Sequence, residues 1–91
     1  MATAPPDLRD LISFPSTFTF RVMANAADDL EARCRQALQE ALGHEAGEVR
    51  TQPSSGGRYL AVRLSATVAT PEEIYAIYAA LQRVEGVRLV L

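Results

Sequence analysis

The 91 residues suffice for one domain with one compact core, since domains cluster near roughly 100–150 residues. A chain this short buries only about 60–65% of its unfolded surface, which leaves little volume for a deep internal active site. Nine arginines, no lysine and 11 acidic residues give a formal charge of −2. That balance works against wholesale capture of nucleic acid, which needs several cations set against phosphates, but it leaves room for a local basic face.

A single cysteine, Cys34, excludes an intrachain disulfide and any multi-cysteine zinc site. The opening stretch Met1–Asp7 has neither a basic start nor an apolar stretch of signal type. No apolar run approaches the ~18–20 residues of a membrane span, so the expectation is a cytoplasmic protein with no membrane partner.

Residues 1–16 read as an N-terminal arm and residues 17–91 as the domain. In the arm, Leu8, Leu11 and Ile12 recur at helical spacing between Pro5-Pro6 and Pro15. With Phe14 this short turn is expected to cover an edge of the core. Residues 17–24 alternate strictly, with Phe18, Phe20 and Val22 on one side and Thr19, Arg21 and Met23 on the other, which predicts a half-buried strand.

Asn25 offers a helix cap, with Asp28 and Asp29 where the helix dipole favours negative charge. Leu30, Cys34, Ala37, Leu38 and Ala41 then form one helical stripe, and Gly43 is placed to end it. A short strand is expected over residues 48–52. Pro53 cannot donate to a ladder, so this strand belongs at an edge.

Ser54-Ser55-Gly56-Gly57 reads as a hairpin turn, its adjacent glycines accepting positive φ. The next strand, residues 59–68, sets Leu60, Val62, Leu64, Ala66 and Val68 against Tyr59, Ala61, Arg63, Ser65 and Thr67. Thr70-Pro71-Glu72-Glu73 supplies a capping hydroxyl, a first-turn proline and a glutamate three residues after the cap. Ile74, Ile77, Tyr78 and Leu81 form the inward stripe that follows. After Gly86, residues 87–91 make a last strand.

The order β-α-β-β-α-β predicts an α+β fold of ferredoxin-like type. It has a four-stranded antiparallel sheet, both helices on one face, and the first and third strands at the centre.

Phe14-Pro15, Phe18, Phe20-Arg21-Val22-Met23, Pro53-Ser54-Ser55-Gly56-Gly57-Arg58-Tyr59 and the ending Val87-Arg88-Leu89-Val90-Leu91 together resemble the YbeD-like family of small bacterial proteins. The resemblance runs from about Leu11 to Leu91. It implies a ferredoxin-like fold similar to the ACT domains, which bind small effectors and regulate enzymes, and it implies no activity. Ala24 stands where the family pattern has glycine, and the first strand-to-helix loop, Ala24-Asn25-Ala26-Ala27, lacks the glycine that ACT effector sites rely on.

Nothing in the sequence points to an enzyme, a cofactor or a metal. His44, the one histidine, follows the helix-ending Gly43 and is expected in an exposed loop. Cys34 lies on an apolar stripe, where a free cysteine serves as a small hydrophobe. Ser54–Gly57 lacks the lysine of a phosphate loop.

The surface with chemical content is the open sheet face, carrying Thr19, Arg21, Met23, Tyr59, Ala61, Arg63 and Ser65, with Arg50 and Arg88 joining by parity from the edge strands. The expected role is a regulatory interaction module that contacts an unidentified protein partner through this face or an edge strand. The alternative is an ACT-like sensor holding an anionic metabolite between Arg21 and Arg63 in a homodimer. Single-stranded RNA binding is weaker, because readers of this fold stack bases on two or more sheet aromatics and this face offers only Tyr59.

Overall fold

The computed structural model describes residues 13–91, so the expected turn of Leu8, Leu11 and Ile12 lies outside the described residues. Phe14, joined to Pro15 by a cis peptide bond, packs half-buried against the core, as anticipated.

The elements follow the predicted order: β1 (Ser16–Asn25), α1 (Leu30–Leu42), β2 (Val49–Pro53), β3 (Tyr59–Val68), α2 (Pro71–Gln82) and β4 (Val87–Val90). All four strands join one antiparallel sheet in the order β2-β3-β1-β4. The central pair runs without a slip from Ser16↔Val68 to Asn25↔Tyr59.

Period-two alternation decides which face is dry. Phe20, Val22 and Ala24 of β1 and Val62, Leu64, Ala66 and Val68 of β3 are at most 2% exposed. They meet Leu30, Cys34 and Leu38 of α1 and Ile74, Ile77 and Leu81 of α2, all equally buried. Fully burying such a leucine, isoleucine or phenylalanine stabilises by about 1.5–3 kcal/mol, so this single layer holds the fold together. Phe20 stacks edge-on against Tyr78 at 5.2 Å between ring centroids, fixing α2 over the middle of β1. Among the described residues no polar or charged side chain is buried with the core.

Local signals place the ends. Gly43 ends α1 in the left-handed conformation, its N–H donating to the Gln39 carbonyl at 2.8 Å. Gly56 and Gly57 both adopt positive φ in the β2–β3 hairpin. At the start of α2 the Thr70 hydroxyl accepts from the Glu73 N–H at 3.3 Å, and the Glu73 carboxylate accepts from the Ala69 N–H at 3.2 Å.

Other boundaries move. Asn25 does not cap α1: it closes β1, donating its N–H to Gly86 O at 2.9 Å, and Asp29 takes the cap position without a side-chain bond. The strand ladder satisfies the Asn25 backbone before a helix can, and residues 26–29 make the turn. β1 is a residue longer at each end than the alternation alone marked, and β2 extends through Pro53. β4 ends at Val90, although Leu91 still exchanges backbone hydrogen bonds with Arg21 at 2.9 and 2.7 Å.

The β1–β4 pairing contains an irregularity that the sequence does not announce. Val22 faces Val90 and Met23 faces Leu89, but Ala24 faces Val87, so Arg88 is an extra residue. A bulge of this kind breaks the alternation. Val87 and Val90 turn toward the helices, while Arg88 and Leu89 both turn outward. Leu89 is 51% exposed, where simple parity would bury it.

Two substitutions test this account. Leu89→Thr should shift unfolding free energy by no more than about 0.5 kcal/mol, whereas a core leucine of normal parity would cost about 2–5 kcal/mol on truncation. Thr70→Ala should cost about 1 kcal/mol through loss of the α2 cap, read as a lower urea midpoint at unchanged slope.

Candidate functional site: the open sheet face

Alternation that buries one face of the sheet exposes the other, and the register arranges that face in rows. The first row pairs Thr19 with Ser65, whose hydroxyls lie 3.2 Å apart. The second sets Arg50, Arg63 and Arg21 directly opposite one another on β2, β3 and β1, with Leu91 beyond. The third runs Gln52, Ala61, Met23, Leu89. The fourth pairs Tyr59 with Asn25 beside Arg88.

The arginine row is the unusual feature. The Arg21 backbone bonds to Leu91, the residue after β4, so across β1–β3 it forms the non-hydrogen-bonded kind of pair with Arg63. Such pairs bring Cα atoms to about 4.5 Å and side chains closest together. Like charges placed directly opposite destabilise a sheet by up to about 1 kcal/mol. Arg50 is ion-paired with Glu48, but Arg21 and Arg63 have no carboxylate partner among the described residues.

Beside the arginines lies apolar surface. Met23 is 39% and Leu91 61% exposed, and with Leu89 and Ala61 they border a shallow depression of about 260 Å³ whose other wall is Arg21 and Arg63. A smaller hollow of about 180 Å³ adjoins it, reaching Thr19, Glu48, Arg50 and Ser65.

The structure thus brings Thr19, Arg21, Met23 and Arg63 together. Tyr59 stands apart at the far end of the sheet, its ring covered by the Arg88 guanidinium 5.8 Å from the centroid, while Arg88 also donates to Asn25 Oδ1 at 3.4 Å. Leu89 and Leu91 are the members that parity alone missed. The signal for them lies only in the bulge, which has no mark in the sequence.

Elsewhere several polar groups engage one another, although the buried Arg33 Nε has no hydrogen-bond partner. At the β1–α1 loop, Arg33 pairs with Asp29 at 3.2 Å and donates to the Glu85 carbonyl at 3.0 Å, so the cation next to the hollow near Asn25 and Gly86 is already engaged. The groove between α1 and α2 is walled mainly by alanines, with Glu40 and Arg83 at its rim. His44 is exposed, its Nδ1 3.2 Å from the Glu45 carbonyl. Burial pushes the Cys34 thiol above its ordinary pKa, outweighing the opposite pull of Arg33, so the neutral and unreactive form prevails. Among the described residues no three His, Cys, Asp or Glu side chains gather to hold a metal, and no helix is long and apolar enough to cross a membrane.

Comparison with known proteins agrees with this architecture. The model of the family described as "Protein of unknown function (DUF493)" matches residues 9–91. A UPF0250 protein of Vibrio cholerae is 33% identical over 86 residues, covering 92% of this chain and 90% of the relative. One from Idiomarina loihiensis is 36% identical over 84 residues, covering 90% and 92%. The solution structure of protein HP0495 from H. pylori superposes with a TM-score of 0.73 at 17% identity, covering 88% of this chain and 85% of that one, a likeness of fold. The chain belongs to the DUF493/UPF0250 family of small bacterial proteins of unknown function, the YbeD-like family that its motifs resemble.

Proposed function

We propose that the protein is an interaction module that recognises an acidic surface of a protein partner with its open sheet face. One observation carries the reading: Arg21 and Arg63 stand opposite each other, exposed and without a carboxylate partner among the described residues. Like charges directly opposite on neighbouring strands are unfavourable, and a bound carboxylate would offset that. Guanidinium–carboxylate contacts are short and charge-assisted, and each contributes about 1.5–3 kcal/mol where water is excluded. Met23, Leu89 and Leu91 supply the apolar area that excludes it.

The depression of about 260 Å³ beside the two arginines also supports a second reading, a small anionic effector held at the same place. Both readings need the same arginines and differ in how much of Met23, Leu89 and Leu91 becomes covered. RNA finds little support, since Phe18 and Phe20 turn toward the helices and Arg88 occupies the face of Tyr59.

The test is quantitative affinity capture from bacterial lysate with wild-type protein and with the Arg21→Ala/Arg63→Ala double variant. The double variant should fold normally and lose at least about tenfold of each specifically captured protein, the loss expected from one charged hydrogen bond or more. Full retention of those partners would remove the face from consideration.

A further inference from the structure

We infer that the partner element seated on the open face is an amphipathic helix with one acidic flank, lying along the strands over the β1–β4 boundary; this rests on the sheet-face reading above. Three observations lead there.

The first is shape. The opposite face of this same sheet is covered by helices, α1 and α2, so a sheet of this strand number and twist has surface dimensions that suit them. The exposed rows from Thr19 to Asn25 extend about 20 Å at ~3.3 Å per strand residue, the length of roughly 13 helical residues. A helix also brings its backbone hydrogen bonds already made, which an extended segment laid on a sheet face does not.

The second is the division of the face. Apolar groups lie toward β4 (Leu89, Leu91, with Met23 beside them), and cations lie toward β3 and β2 (Arg63, Arg50, with Arg21 at the junction), while Arg88 of β4 is held at the Tyr59 end of the face by Tyr59 and Asn25. The border between them runs along the strands. A helix aligned with that border sets one flank over leucine and methionine and the other over arginine. Side chains one turn apart on such a helix are displaced about 5–6 Å along the strands, so a glutamate at the middle of the acidic flank lies over the Arg21–Arg63 row.

The third is charge, which selects among occupants. A second copy stacked with its twofold axis on the arginine row would set Arg21 and Arg63 against another Arg21 and Arg63, so self-pairing centred there is opposed. An acidic flank neutralises both guanidinium groups.

The experiment is an amide-resolved NMR titration of the full chain. The probe is a synthetic helical peptide of about 14 residues with glutamates at i, i+4 and i+7 and leucines on the adjoining stripe. Shifts should gather at Thr19, Arg21, Met23, Ala61, Arg63 and Leu89. Affinity should fall at least about tenfold when the glutamates become glutamines, when Arg21→Ala/Arg63→Ala replaces the wild type, or when a central proline breaks the helix. No shifts at millimolar peptide, shifts elsewhere, equal binding of the proline-broken peptide, or tighter binding of a short single-stranded RNA at these residues would each overturn the inference. Should the peptide fail while capture from lysate still depends on the two arginines, only the helical occupant is wrong; should capture prove indifferent to them, the face reading fails as well.

Discussion

Both helices pack against the same side of the sheet, and the properties of the other side follow from that asymmetry. Phe20, Val22, Val62 and Leu64 must face α1 and α2 because, with Ala24, Ala66 and Val68, they supply the buried area of the central strands. Strand geometry then sends Arg21, Met23, Ala61 and Arg63 the opposite way. A one-residue slip between β1 and β3 would exchange the two sets and bury arginine, so the register is strongly specified. The arginine row is thereby fixed in place by the hydrophobic core, even though like charges set directly opposite work against the fold.

Most of the fold is legible in the sequence because its signals are local and redundant. Thr70-Pro71-Glu72-Glu73 announces α2 through a hydroxyl cap, a proline and a returning carboxylate. The Gly56-Gly57 hairpin and the Gly43 stop are equally explicit. Asn25 shows where local reasoning ends. Its side chain favours a cap, but its backbone N–H is claimed by the Gly86 carbonyl just ahead of β4, a contact between distant parts of the chain.

The candidate site is legible in the same proportion. Thr19, Arg21, Met23 and Arg63 follow from alternation alone. That Arg21 and Arg63 are direct neighbours depends on register, which alternation does not supply. Leu89 and Leu91 depend on the bulge at Arg88, and only the pairing of β4 with β1 reveals it. The apolar half of the face was therefore invisible in the sequence while the charged half was not. Arg50, read by parity as part of the basic face, does reach it, but Glu48 engages its charge.

The chain belongs to the DUF493/UPF0250 family and shares its fold with HP0495 from H. pylori, and within that fold Arg21 and Arg63 are direct cross-strand partners. That pairing is open to direct measurement. A double-mutant cycle with Arg21→Ala, Arg63→Ala and the double variant, followed by urea unfolding at low and high salt, isolates the coupling between the two side chains. The account predicts an unfavourable coupling of roughly 0.2–1 kcal/mol at low ionic strength that fades as salt screens it. A favourable coupling, or none at low salt, would contradict the claim that Arg21 and Arg63 stand opposite each other with no carboxylate partner among the described residues.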